Sequence, residues 1–316
     1  MVLLFLALII LCGESTNVSL SLLLRRGVRF FDIAGAMIPP DTSYARVVLA
    51  PLWATVQMSL AGTGIGAVLG LVGASFASAY LNPHAWLRIP FKAIVHLIRT
   101  IPALILALLC TFLVGLGTLA GTLALSIYTT VVMIRMGYED MENTDLKAAQ
   151  ALEATGCGRL RAFIRTILPA VLAGYLINVL YMLEANVRHA AILGYVGAGG
   201  IGLLLNERLA WREYSEVGMI LLLLYGVVVV TEGVSEWLRQ VLSGKSHLPR
   251  TGKTVLGLVL AVLFLSSFQT LSLPDTGGKG MAAAAAIVQG ILHPDWSMIC
   301  SLAHDGVPWL LYETFC

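Results

Sequence analysis

Charged side chains are scarce in this chain. Asp, Glu, Lys and Arg make up 12% of its 316 residues, against about 25% in a water-soluble domain. Neither sign dominates: 20 Lys and Arg against 18 Asp and Glu leave a formal net charge of +2, too little for a nucleic-acid-binding face. Cysteine is also short. Cys12, Cys110, Cys157, Cys300 and Cys316 are odd in number and show no C-x-x-C pairing, which excludes a closed disulfide framework and a zinc cluster. They read as small packing residues. The sequence contains no GxxxxGK[ST] phosphate loop, no HExxH and no GxSxG, so neither ATP hydrolysis nor motif-borne hydrolase chemistry is expected of it. No cofactor and no metal are expected. What the chain has in abundance is apolar surface: 58% of its residues are hydrophobic and its mean hydropathy is +0.85. A water-soluble fold cannot cover that much apolar area, so lipid is its solvent.

A spanning helix needs about 20 mostly apolar residues. Runs of this kind cover Leu52–Leu81, Ile94–Leu116, Thr118–Ile134, Ala170–Leu193, Val217–Trp237 and Thr254–Leu273. Met1–Cys12 is apolar but short, lacks the charged start of a secretory signal, and reads as a first span with a clipped or misassigned start. An uncleaved signal anchor would give the same topology. The expectation is an all-α integral membrane protein with about six to seven transmembrane helices. Lys and Arg set its orientation. Arg88 and Lys92, then Arg135, Lys147, Arg159, Arg161 and Arg165, then Arg239, Lys245, Arg250 and Lys253 fall in alternate loops, which are therefore cytoplasmic. Arg25, Arg26, Arg29 and Arg46 fall outside, the first three within or beside an amphipathic segment, Leu20–Phe31, lying on the outer surface.

Most charge away from helix ends lies in one cytoplasmic segment, Gly137–Thr166. A helix capped by Asn143 or Thr144 is expected there, with Asp145 in its first turn and an apolar stripe of Leu146, Ala149 and Leu152. Gly156 and Gly158 end it, and a second short helix carries Arg159–Thr166. Pro169 opens the next span, where proline is tolerated. The stripe needs a cover, and a soluble partner is one candidate.

That segment resembles the signature of ABC importer permeases: Glu-Ala-Ala, three residues, Gly, nine residues, Ile, one residue, Leu-Pro. Ala151, Gly156, Leu168 and Pro169 stand at the matching positions, while Gln150 replaces the Glu, Leu152 the second Ala and Thr166 the Ile. Further on, Glu184-Ala185-Asn186-Val187-Arg188, Leu193-Gly194 and Val196-Gly197-Ala198-Gly199-Gly200-Ile201-Gly202 resemble the permeases of phosphonate and phosphite importers. The resemblance covers roughly Asp41 to Leu242. It implies a type I ABC importer transmembrane domain, with Gln150, Ala151, Leu152, Gly156, Leu168 and Pro169 in a coupling helix that docks on the ATPase. It further implies a dimer of cytoplasmic ATP-binding subunits, an extracytoplasmic solute-binding protein and a second permease half. The cargo class is phosphonate, phosphite or phosphate, and a methionine-type importer is the alternative. The implied division is a first span and outer segment over 1–50, a permease core over 51–243 and a further span with an outer tail over 244–316. The tail echoes the head in order: Pro39-Pro40-Asp41 recurs as His293-Pro294-Asp295, and Trp53 before Ala54-Thr55 as Trp309 before Glu313-Thr314. This reads as the opening of a second permease copy.

Five features are weighed against plainer readings. Gly197, Gly199 and Gly202 form a GxGxxG, but it follows a membrane helix rather than a strand, so with Gly200 it reads as a tight extracytoplasmic turn. Gly62, Gly66 and Gly70 form consecutive GxxxG steps, a packing seam within the subunit or between two subunits. Glu184 and Arg188 sit one turn apart in a span with Asn186 and His189 nearby. They either line the transport path, where Arg188 can meet an anion bidentately, or form a structural pair. Arg99 and Pro102 mark an inner-side charge and a kink. Gly73-Ala74-Ser75 leaves an intramembrane serine protease as the alternative of another class. It would need His96 or His189 within reach of Ser75.

Overall fold

A computed structural model describes residues 20–244 and 262–267. The described residues fold almost entirely into helix. Here α1 is Leu20–Ala36, α2 Ala45–Ala77, α3 Ala85–Arg99, α4 Ala103–Val114 and α5 Thr118–Glu142. Next come α6 Lys147–Ala154, α7 Arg159–Arg165, α8 Ile167–Leu193, α9 Ile201–Trp211 and α10 Tyr214–Leu242. The unit that begins at Asp41 holds α2 to α10, and α1 belongs to a separate one. Among the described residues four helical stretches are long and apolar enough to cross a membrane, Thr42–Ala77, Thr118–Glu142, Ile167–Val196 and Tyr214–Leu242. A bent pair, α3 with α4, makes up to five. The expected first span lies outside the described residues, as does the expected last one except for 262–267. The head-to-tail repeat also rests on residues outside them.

In lipid the packing of spanning helices depends on close approach rather than on the hydrophobic effect. The glycine seam provides that approach within the chain. A Cβ on Gly62 would stand 2.7 Å from the Leu125 Cβ, one on Gly66 2.5 Å from the Thr129 Cβ, and one on Gly70 2.6 Å from the Met133 Cβ. The register advances by four residues on both helices, so α2 and α5 run parallel and nearly touch backbones. Gly137 of α5 extends the seam against Ala74. Gly66→Val is therefore expected to splay the pair and cost about 1–3 kcal/mol, read as a lower melting temperature of the purified protein. α8 crosses this pair. Its Tyr175 hydroxyl donates to the Ala67 carbonyl at 2.6 Å, in space left by Gly70.

Three expectations are corrected. The run Ile94–Leu116 is bent much further than the kink expected at Pro102, and its first helix starts earlier, at Ala85. The chain breaks over Thr100, Ile101 and Pro102, and α3 and α4 meet at 93°. Proline lacks a donor for the helix ladder and disfavours helical geometry in the residue before it, so the helix restarts after Pro102. α5 runs on past Ile134 to Glu142, so Arg135 is a helical residue paired with Glu139 at 2.8 Å rather than a loop charge. Arg239, read from the sequence as charge following a span, lies within α10. It faces a carboxylate of α8, described below.

Candidate functional site

The cytoplasmic elbow is built from α6 and α7. α6 starts at Lys147, later than Asn143 or Thr144, because α5 consumes the chain to Glu142 and Asp145 Oδ1 accepts the Lys147 N–H at 3.0 Å. Gly156 follows α6 with φ +85, a left-handed conformation that glycine adopts without steric cost. Gly158 then caps α7, and Pro169 stands in the first turn of α8 as expected. Two of the three residues of the apolar stripe are covered by the chain itself. Ala149 is fully buried and Leu146 packs beside it in a cluster with Ala77, Tyr80, Met141, Phe163 and Ile167. The opposite side, with Gln150, Ala151, Ala154, Thr155 and Gly156, is exposed. Leu152 and Leu168 are partly buried, and Pro169 is exposed.

One residue that no sequence motif marks holds the elbow in place. Tyr80, just past the inner end of α2, donates its hydroxyl to Glu153 Oε1 at 2.7 Å. Its ring stacks on Phe163 of α7 at 6.3 Å, and the Arg159 guanidinium lies over it at 5.2 Å. Burial, and then the Glu153 hydrogen bond, push the Tyr80 hydroxyl up to about 12, so it remains a donor throughout the physiological range. Lys92 and the Ala79 N–H both bind Glu142 Oε1, at 2.8 and 3.2 Å. The inner ends of α2, α3, α5, α6 and α7 are thus tied together by polar contacts. Tyr80→Phe keeps the stack and removes the donor. It is expected to cost about 1 kcal/mol, and in combination with Glu153→Gln the two losses should not add. A double-mutant cycle of melting temperatures reads this.

At the other end, Gly197, Gly199 and Gly200 have φ of +83, +75 and +71. They turn the chain from α8 into α9, and the Ile201 N–H donates to Thr55 Oγ1 of α2 at 2.8 Å. Gly194 and Gly202 pack backbone to backbone: a Cβ on Gly202 would lie 2.0 Å from the Ala191 carbonyl oxygen. The glycines act as a packed turn. In the last turn of α9, Arg208 binds Glu213 at 2.7 Å and Glu216 at 3.2 Å, and its hydrogen bond holds the Glu213 carboxyl below its ordinary value.

In α8, Asn186 is fully buried and ties three helices. Its Nδ2 donates to Thr63 Oγ1 of α2 at 2.8 Å and to Thr129 Oγ1 of α5 at 2.7 Å. Both of these amide bonds go to threonines and neither to the neighbouring charges. Glu184 Oε1 accepts from Arg188 Nη1 at 2.9 Å, while Oε2 faces Arg239 Nη1 of α10 at 3.5 Å. Arg239 also binds Glu236 and lies 4.1 Å over the Tyr181 ring. Glu184 and Arg239 are largely buried, whereas the Arg188 side chain is 49% exposed. The sequence pairs Glu184 with Arg188; Arg239 joins them only through the α8–α10 packing. Ser75 Oγ donates to the Leu71 carbonyl at 2.9 Å, while His96 meets Tyr138 and His189 meets the Tyr128 ring edge to face. Among the described contacts nothing joins a histidine to Ser75.

Spanning helices that enclose buried polar ties, an elbow of short helices at the cationic face, and a charged cluster between two spans define a membrane transport subunit of the all-α type. The chain belongs to the family of binding-protein-dependent transport system inner membrane components, whose family profile matches residues 62–244. It is 33% identical over 208 residues to the phosphite transport system permease protein PtxC of Stutzerimonas stutzeri, covering 66% of this chain and 76% of that one. It is 31% identical over 204 residues to the phosphate-import permease protein PhnE of Mycolicibacterium smegmatis, of which it spans only 38%. A chain of the MetNI methionine ABC transporter, solved in an inward-facing conformation, has a TM-score of 0.55 at 22% identity, covering 62% of this chain and 95% of that one. That likeness concerns the fold. The protein is thus a permease component of an ABC importer, resident in the inner membrane.

Proposed function

We propose that this permease carries phosphonate-like oxyanions, phosphite, phosphonates or phosphate, with ATP hydrolysed by a separate cytoplasmic subunit and cargo delivered by an extracytoplasmic solute-binding protein. The observation that carries the reading is Arg188. A guanidinium left half-exposed on a spanning helix is costly against lipid, and its planar fork suits a tetrahedral oxyanion. Glu184 holds it from behind and Arg239 keeps Glu184 from being a lone buried charge, so the Arg188 face is the one free to meet cargo. Asn186 supports the reading by fixing α8 against α2 and α5. The names of the relatives, phosphite and phosphate permeases, support the same class. In this reading the exposed side of α6, with Gln150, Ala151 and Gly156, meets the ATPase dimer, and a second permease half completes the path. Cargo and nucleotide then bias two pre-existing arrangements of the helices.

Calorimetry on the solute-binding protein that serves this permease tests the cargo. Tight binding of phosphite or an alkylphosphonate, with methionine and sulfate inert, is the expected result. Tight binding of methionine alone would discard the oxyanion reading and keep the permease.

A further inference from the structure

The 93° break between α3 and α4 leaves α3 with one face that nothing else among the described residues covers. On its inner side Phe91, Val95 and Ile98 pack into the cytoplasmic-end cluster. On its other side Trp86, Ile89, Ile94 and Leu97 recur at helical spacing and are exposed, Trp86 by 73% and Leu97 by 69%. Arg88, Lys92, His96 and Arg99 stand beside them. A helix of this pattern lies in the plane of the membrane interface with its apolar side among acyl chains, and tryptophan sits well at headgroup level. The distribution of Lys and Arg puts α3 at the cytoplasmic leaflet, where the anionic lipids are concentrated.

Next to α3 opens a cleft of about 330 Å³ whose lining includes Ser78, Tyr80, Arg88, Lys92, Glu142 and Leu146. Glu142 is compensated inside it by Lys92 and the Ala79 N–H. The charge left over is that of Arg88, whose Nη1 donates to the Asn82 carbonyl at 3.1 Å. Ser78 is fully buried, and its Oγ has no hydrogen-bond partner among the described residues. A buried hydroxyl without a partner is costly, and this one lines a cationic cleft.

We propose that the cleft binds a phosphate group, that of an anionic phospholipid of the cytoplasmic leaflet. Arg88 supplies the charge, Ser78 Oγ donates to a phosphate oxygen, and the acyl chains run along the apolar side of α3. Free phosphate offers the same oxygens, but only a lipid also uses the Trp86, Ile89, Ile94 and Leu97 face. Tyr80 and Leu146 line the same cleft, and Tyr80 grips Glu153 of α6, so the headgroup braces the elbow from its membrane side. This inference rests on the membrane placement of the chain and not on its cargo.

The test uses the full chain assembled with its partner subunits in nanodiscs of phosphatidylcholine containing a minor share of phosphatidylglycerol, with retained lipid measured by native mass spectrometry. Phosphatidylglycerol should be retained over phosphatidylcholine. Retention should fall about tenfold in Arg88→Gln and about threefold in Ser78→Ala. Ser78→Ala removes an orphan hydroxyl, so its melting temperature should be unchanged or raised; a merely structural serine would leave lipid retention alone. Excess inorganic phosphate should not displace the lipid. If it does, the site takes a soluble oxyanion and the lipid assignment is overturned. Equal retention of the two lipids, or full retention of phosphatidylglycerol in both variants, overturns the site itself.

Discussion

Gly202→Ala is expected to remove most of the folded protein from the membrane. The new methyl carbon would sit 2.0 Å from the Ala191 carbonyl oxygen and 2.8 Å from the Gly194 Cα. Both neighbours are backbone, so no side chain can rotate aside. The end of α8 and the start of α9 would have to part, and with them the Thr55 hydrogen bond to the Ile201 N–H. Overpacking of this kind costs about 3 kcal/mol or more. Gly194→Ala should behave alike, since its Cβ would meet the Gly202 Cα at 2.5 Å. Gly226→Ala is the control: nothing lies within 4 Å of its Cβ position, and alanine in a helix gains up to about 1 kcal/mol. Size-exclusion profiles and melting curves of the three variants in detergent measure the contrast. If Gly202→Ala matched Gly226→Ala, the backbone contact would be wrong.

Gly156→Val is expected to leave the protein folded and to uncouple it. Here the obstacle is conformation, not space: φ is +85 and no atom lies within 4 Å of a Cβ. A β-branched residue in the left-handed region costs about 1–3 kcal/mol, and the elbow can relieve that only by changing the angle between α6 and α7. Ala149 and Phe163 hold the two helices to the spans from the other side, so insertion and melting temperature should stay near those of the parent. Transport and cargo-stimulated ATPase activity should both fall about tenfold, the equivalent of about 1.4 kcal/mol of misdirected docking. Gly156→Asn, which tolerates left-handed geometry, should retain most of both. Full transport in the valine variant would remove Gly156 from the docking role proposed for it.

The sequence carried what depends on composition and spacing. Among the described residues apolar runs located the four long spans, because lipid admits few alternatives, and Gly62, Gly66 and Gly70 announced a seam because only small residues at that interval let backbones meet. Gly156 and Pro169 placed the elbow by their distance from each other. Direction was harder. Hydropathy does not record an angle, so α3 and α4 read as one run, with Pro102 the only sign of the break. The stripe Leu146, Ala149 and Leu152 was visible as apolar, but what covers it is decided by Tyr80, Met141 and Phe163, which lie far apart in sequence. Arg239 is the clearest case. It stands fifty-five positions after Glu184 (239 − 184), near the end of an apolar run where cations ordinarily mark the interface. Only the packing of α10 on α8 turns it into the second partner of a buried carboxylate.

The most direct measurement is ATP-dependent uptake of labelled phosphite and methylphosphonate into proteoliposomes. They would hold this chain, its ATPase subunit and its binding protein, with parent and Arg188→Gln compared side by side. The expected result is uptake that requires ATP and the binding protein. In Arg188→Gln uptake should fall about tenfold or more while binding-protein-stimulated ATPase activity persists. An assembly that hydrolyses ATP in response to its binding protein yet moves neither anion would contradict the oxyanion assignment.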